Sequence, residues 1–149
     1  ARHGQVVEKA LKVMDLDLLR EKPITQLSGG EQQRSFIARA VAQAEQVILL
    51  DEPVAHLDIN HVTQVMDHLV ELNRQGTTII TVLHDINLAA DYCSRIIAIK
   101  DGTIFTDGAP AEIITYQAIE SLFDTVCVVH ENPITGKPYT YPVPGRYRK

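Results

Sequence analysis

The stretch Val47-Ile48-Leu49-Leu50-Asp51-Glu52 decides the fold of this chain. Its first four residues are all apolar, and the run is too short for a helix. An uninterrupted apolar run of this length is typical of a parallel strand that is covered on both faces. We therefore predict a central buried strand that ends in two carboxylates.

Two helices are predicted upstream of this strand. Apolar residues at helical spacing over 6–19 indicate an amphipathic helix that ends before Pro23. Ser28 stands three residues before Glu31, the spacing of a capping box, and predicts a helix over Gly29 to about Gln43. The expected buried side of that helix consists of Phe36, Ile37, Ala40, Val41 and Ala44.

A further helix and strand are predicted downstream. Asp58 or Asn60 can cap a helix that Gly76 ends, and residues 77–83 are rich in β-branched side chains, as expected of a strand. His84 follows that strand directly. The helix keeps an apolar stripe of Ile59, Val62, Val65, Met66, Leu69 and Leu72.

The rest of the sequence continues the alternation of helices and strands. We predict a short helix over 87–93, a strand over 96–100, a hairpin turn at Asp101-Gly102 into 103–106, one or two short helices within 110–124, and a hairpin in the tail from Val126. This order predicts the α/β class, with a parallel sheet flanked by helices and joined by right-handed crossovers. Ligands bind at the carboxyl ends of such strands, where Asp51, Glu52 and His84 fall.

Composition limits the classes of partner. The 149 residues carry 14 Lys and Arg against 19 Asp and Glu, a formal net charge of −5, which argues against nucleic acid as the main partner. No apolar run approaches the roughly 20 residues that span a bilayer. Two cysteines, and a start without a signal-peptide pattern, predict a reduced cytoplasmic location.

Four features carry the candidate chemistry. The glycines of Ser28-Gly29-Gly30 expose backbone N–H groups to a phosphate, although a serine cap with a glycine turn is the common structural explanation. Asp51 can hold Mg²⁺ through water and Glu52 can polarise an attacking water, unless both are merely solvated carboxylates. His84 can donate to a γ-phosphate, although a lone histidine is more often structural. No helical zinc spacing links the histidines expected at the surface, His56, His61 and His68.

Together these stretches resemble the ATP-binding cassette (ABC) family of nucleotide-binding subunits. Residues 27–34 resemble the family signature LSGGQ, with Glu31 where glutamine is usual, and residues 47–52 resemble the Walker B strand. Residues 55–58 resemble the D-loop, and His84 resembles the switch histidine. The order and spacing agree over 27–108, so the resemblance implies part of a P-loop NTPase fold of the ABC type.

The resemblance also implies a role for each matched residue. Asp51 would support Mg²⁺, Glu52 would be the catalytic base, and His84 would sense the γ-phosphate of ATP. The stretch Ser28-Gly29-Gly30-Glu31 would contact ATP held by a second ABC subunit, and Asp58 would communicate across that dimer. The implied partners are that second subunit, a transmembrane permease and, indirectly, a substrate-binding protein, with the subunit on the cytoplasmic face of the membrane.

A P-loop, Gly-x-x-x-x-Gly-Lys-Ser/Thr, is not present in these 149 residues. Gly136-Lys137 is followed by Pro138, so this pair predicts a turn. We therefore interpret the chain as the C-terminal half of a cassette that is inactive alone and exposes apolar sheet edges. Its expected parts are a portion of the helical subdomain over 1–45, the C-terminal part of a RecA-like core over 46–108, and C-terminal helices with a hairpin over 109–149.

Three passages narrow the resemblance within the family. Residues 57–59, 82–87 and 132–138 resemble cassettes that import ferric siderophores, haem or cobalamin, a subgroup that often carries a terminal hairpin. A non-catalytic, partner-binding remnant and a soluble non-transport ABC ATPase are the alternatives. A neighbouring gene for a P-loop half or a permease would distinguish them.

Overall fold

The structure is a computed structural model that describes residues 2–147, in two compact units that divide between Leu83 and His84. The first unit contains α1 (Arg2–Val13), α2 (Gly29–Val41), β1 (Val47–Asp51), α3 (Ile59–Arg74) and β2 (Thr78–Val82). The second contains α4 (Ile86–Tyr92), β3 (Ile96–Lys100), β4 (Thr103–Gly108), α5 (Pro110–Ile113), α6 (Tyr116–Phe123), β5 (Cys127–Glu131) and β6 (Pro138–Pro142). The predicted α/β class is confirmed.

Strands β1 and β2 form the predicted parallel pair, with Asp51 opposite Val82 in the register. Only one face of β1 is covered in the first unit. Ile48 is 5% exposed, whereas the next residue, Leu49, is 73% exposed. The prediction of cover on both faces is therefore wrong for the described residues, because no described element of the first unit buries the Leu49 face.

The helices of the first unit enclose its core. Met14, Ile37 and Val65 are almost fully buried. Helix α1 ends at Val13, earlier than predicted, because Asp15 takes a left-handed backbone with φ of 52°. Three side chains that were predicted to be buried are exposed: Phe36, Ala44 and Ile59. The reason is that the buried face of α2 is centred on Ile37 and Ala38, and that α3 meets the core only after its first turn.

Strand β3 does not extend the parallel pair. It pairs antiparallel with β4 across the two-residue turn Asp101-Gly102, in which both residues have positive φ. This turn geometry favours a local hairpin, so the prediction of a third parallel strand is wrong for the described residues. Those residues form three two-stranded sheets, the third being the predicted tail hairpin of β5 and β6.

The core of the second unit lies between its helices and the tail hairpin. Ala90, Ile114, Ile119 and Cys127 form its buried cluster. Helix α4 packs against β6, and α6 packs against β5. The hairpin is therefore part of the second unit's core and not a loose appendage.

Candidate functional site

The start of α2 is fixed by the predicted capping box. The backbone N–H of Ser28 donates to Glu31 Oε2 at 2.7 Å, and the Ser28 hydroxyl accepts from the Glu31 N–H at 3.4 Å. The same Ser28 N–H holds the pKa of Glu31 below its ordinary value, so this carboxylate stays charged. The loop that resembles the ABC signature therefore has one defined conformation at its helix N-terminus.

Gly30 is buried against the ring of His61. A Cβ atom at position 30 would lie 2.2 Å from His61 Cδ2, a distance that no packed structure tolerates. His61 is held in turn by Asp58, whose Oδ2 lies 2.8 Å from His61 Nδ1 and whose Oδ1 accepts from the His61 N–H at 3.0 Å. The structure thus links the predicted signature glycine to the predicted D-loop aspartate through one imidazole.

Asp58 is the residue that caps α3. The backbone N–H of His61 is the main cause of a lowered pKa at Asp58, and the His61 side chain adds to it. This settles the choice between the two predicted caps in favour of Asp58 over Asn60.

Gly29 faces open space. No heavy atom lies within 4 Å of the position that a Cβ would take. A phosphate can therefore approach the backbone at the start of α2 from this side without displacing protein atoms. The two adjacent glycines differ in role, because Gly30 faces a side chain and Gly29 faces solvent.

Asp51 and Glu52 lie exposed at the carboxyl end of β1. Glu52 has φ of 47°, a left-handed conformation that costs a glutamate on the order of 1 kcal/mol. Its carbonyl accepts from the Ala55 N–H at 3.1 Å, and Pro53 behind it is fully buried. The backbone therefore turns sharply after Asp51, and the two carboxylates stand on different conformations of the chain.

His84 is the exposed first residue of the second unit. The next residue, Asp85, caps α4 by accepting from the N–H groups of Asn87 at 2.8 Å and Leu88 at 3.1 Å. Asp51 and Glu52 belong to the first unit and His84 to the second.

The carboxylate at the end of β1 suits a Mg²⁺ ion whose other ligands do not come from this part of the chain. Among residues 2–147 no group of three histidine, cysteine or acidic side chains could enclose a metal ion. Asp51 supplies one exposed carboxylate, which fits a cation whose remaining ligands are water and phosphate oxygens. The open side of Gly29 likewise fits a phosphate.

Two histidines predicted at the surface have contacts that the prediction missed. The His61 side chain is 31% exposed and paired with Asp58, whereas the His68 side chain is 17% exposed, so the surface prediction is wrong for His68. The spacing Asp58-x-x-His61 is the sequence signal that could have identified the first contact. No local pattern marks His68, because Asp15, whose Oδ2 lies 3.6 Å from His68 Nε2, is distant in the sequence.

Comparison with known proteins points to one family. A match to the ABC transporter family covers residues 2–55. A probable siderophore transport ATP-binding protein of Bacillus subtilis is 41% identical over 139 residues, which are 93% of this chain and 50% of that protein. A hemin import ATP-binding protein of Rhodopseudomonas palustris is 39% identical over 143 residues, covering 91% of this chain and 53% of the relative. The chain is thus similar to ABC transporter ATP-binding proteins over nearly its whole length.

Solved structures agree with the ABC fold. An inward-facing ABC transporter described as of the metal-chelate type superposes with a TM-score of 0.86 at 26% identity, covering 95% of this chain and 57% of the other. A dimeric ATP-binding cassette bound to ADP and phosphate has a TM-score of 0.59 at 39% identity, over 68% of this chain and 44% of that one. The chain spans about half the length of the curated relatives it matches.

The two relatives are named as ATP-binding proteins, and the dimeric cassette holds ADP and phosphate. Across residues 2–147 the chain has no helix that is both long and apolar enough to cross a membrane.

Proposed function

We propose that these residues form the signature-bearing part of the ATP-binding subunit of an importer for iron-siderophore, haem or cobalamin complexes. The observation that carries the proposal is similarity, over 91–93% of the chain, to ATP-binding proteins named for siderophore transport and hemin import. The chain would lie at the cytoplasmic face of the membrane against a permease, with a substrate-binding protein as an indirect partner.

The start of α2 would serve ATP that is bound to a second copy of the subunit. Ser28, Gly29 and Gly30 would contact its γ-phosphate, and the open side of Gly29 supports this role. Glu31 would keep the loop in place through its bond to the Ser28 N–H. Asp58 would communicate across the dimer, because it already reaches Gly30 through His61.

The residues at or near the carboxyl ends of β1 and β2 would supply the hydrolytic chemistry. Asp51 would hold Mg²⁺ through water, and Glu52 would orient the attacking water and accept its proton. His84 would sense the γ-phosphate through a hydrogen bond from its ring. When bound, Mg²⁺ neutralises the charge that develops on the phosphate oxygens.

The chain by itself would not hydrolyse ATP. These 149 residues contain no P-loop, so ATP beside Asp51 would lack the backbone amides and the lysine that cradle its phosphates. We assign residues 1–45 to the signature-bearing helical part, residues 46–108 to the RecA-like core and residues 109–149 to the C-terminal extension. The missing P-loop also supports a second candidate function, a non-catalytic chain that only binds a partner.

Phosphate release measured on two proteins tests the proposal. The chain alone is expected to show no hydrolysis that depends on Glu52. A fusion to the half of the Bacillus subtilis relative that this chain does not match, where we expect the P-loop, is expected to hydrolyse ATP.

In that fusion, Glu52→Gln is expected to lower the rate by about 10²–10⁴-fold. Glu45→Gln, a matched change at an exposed residue before β1, is expected to leave it unchanged. Hydrolysis by the chain alone that disappears in Glu52→Gln would contradict the proposed inactivity. A folded fusion that binds ATP without hydrolysing it would favour the partner-binding candidate.

A further inference from the structure

Two passages that resemble the importer subgroup, 82–87 and 132–138, each contribute one residue, Asn87 and Thr135, to contacts within the second unit. The Asn87 carboxamide pairs with the backbone of Thr140 in β6. Asn87 Nδ2 donates to the Thr140 carbonyl at 3.1 Å, and the Thr140 N–H donates to Asn87 Oδ1 at 2.7 Å. One side chain thereby satisfies both backbone groups of a strand residue 53 positions away, as a neighbouring strand would.

A second bond lies one helical turn further along α4. The Thr135 hydroxyl donates to Asp91 Oδ1 at 2.6 Å. Thr135 belongs to the turn between β5 and β6, which is closed by bonds from the Asn132 N–H to the Lys137 carbonyl at 2.7 Å and from the Gly136 N–H to the Asn132 carbonyl at 2.8 Å. Because Asn87 and Asp91 are four residues apart, they share one face of α4.

The contact between α4 and the hairpin is also a packed one. Thr140 is 3% exposed, and Ala89 and Ala90 of α4 are buried. Helix α4 has only seven residues, too few to be stable in isolation, so its position depends on these contacts.

We propose that the hairpin β5–β6 braces the segment that presents His84, and that Asn87 is the positioning residue of this brace. Asp85 follows His84 and bonds to the Asn87 N–H, while the Asn87 side chain is held by Thr140. The backbone that carries the histidine is thus tied to the hairpin within three residues of His84. This inference rests on the γ-phosphate-sensing role proposed for His84.

The first test is made on the chain itself, by amide hydrogen exchange and the NMR signals of the His84 ring. Asn87→Ala removes both bonds to Thr140 and is expected to speed exchange of the Leu88 amide about tenfold and to shift the His84 ring signals. Asn73→Ala is the matched control, because it breaks an Asn Nδ2 bond to a backbone carbonyl, that of Thr77, in the first unit. It is expected to leave His84 and Leu88 unchanged.

Two milder variants guard against simple unfolding of the second unit. Thr135→Val removes only the bond to Asp91 and is expected to give a smaller effect of the same kind. Asp91→Asn keeps an acceptor for the Thr135 hydroxyl and is expected to match the parent. If Asn87→Ala leaves the His84 ring signals and the exchange of the Leu88 amide unchanged, the brace is overturned. If Asn87→Ala unfolds the second unit, Thr135→Val decides: an effect confined to the turn between β5 and β6 would overturn the brace.

The second test uses the ATP-hydrolysing fusion described above. Asn87→Ala is expected to lower kcat about tenfold with little change in the KM for ATP, since the histidine is mispositioned while nucleotide binding persists. His84→Ala serves as the reference. Loss of activity in His84→Ala with full kcat in Asn87→Ala would refute the brace and leave the proposed function standing. Full kcat in His84→Ala would refute the role of His84, while the exchange and NMR results would still decide the brace.

Discussion

The helices of the first unit and its two-stranded sheet differ in how completely the chain itself covers them. Met14, Ile37 and Val65 on the helical side are at most 1% exposed. On the sheet, Leu49 is 73% exposed and Ile80 is 55% exposed. An apolar sheet face of this kind marks a surface built to be covered.

The helical side is complete within this chain, whereas the sheet is not. The start of α2 has its cap, its two glycines and the histidine behind Gly30 within residues 28–61. The carboxylates at the end of β1 stand on a strand with only one buried face. Three predictions test this contrast.

The largest expected effect comes from truncating one apolar side chain on each side. Ile37→Ala should lower the free energy of unfolding by about 2–4 kcal/mol, because it leaves a cavity among the helices. Leu49→Ala should change it by less than about 0.5 kcal/mol, since that side chain is mostly in water. Urea unfolding of the two variants measures both values. Equal losses would show that the Leu49 face is covered in solution, for example by a second copy of the chain.

The adjacent glycines give the second contrast. Gly30→Ala should cost about 1–3 kcal/mol, because the new methyl group overlaps the His61 ring, whereas Gly29→Ala should lie within about 0.5 kcal/mol of the parent. Thermal unfolding followed by circular dichroism provides the comparison. Adding His61→Ala should remove most of the Gly30→Ala cost, and strict additivity of the two changes would show that the ring is not the obstacle.

The smallest expected effect is a pH dependence from His68. Burial lowers the pKa of His68, nearby Arg34 lowers it further, and Asp15 and Asp67 oppose this shift. The unfolded chain therefore binds a proton at His68 more readily than the folded chain, so stability should fall as the pH drops through the ordinary value of 6.5. Unfolding curves between about pH 7.5 and 5.5 should show this slope. A His68→Gln variant should flatten it, and an unchanged slope in that variant would assign the effect to another group.

Most of the helical side could be predicted from sequence because its signals are local. The spacing of Ser28 and Glu31 predicted the start of α2, and Asp58 was one of two predicted caps for α3. The turn at Asp101-Gly102 was equally visible, because its residue types favour positive φ. Such features depend on a few neighbouring residues.

The errors share a different physical origin. The exposure of Leu49, and the separation of β3 from the parallel pair among the described residues, depend on which surfaces meet in three dimensions, and an apolar run does not specify its partners. The environment of His61 was missed for the same reason, since Gly30 lies 31 positions away along the chain. Residue types therefore indicated the candidate site, but its supporting contacts required the fold.

The left-handed backbone of Glu52 costs stability at the position for which we propose a catalytic role. The buried ring of Pro53 favours an extended conformation in the residue before it, so φ of 47° at Glu52 is unfavourable for two reasons. A library selected only for resistance to heat should therefore enrich glycine at position 52, whereas one selected for ATP hydrolysis in the fused protein should retain glutamate. The residue found at position 52 would thus show whether a given sequence was selected for heat resistance or for ATP hydrolysis.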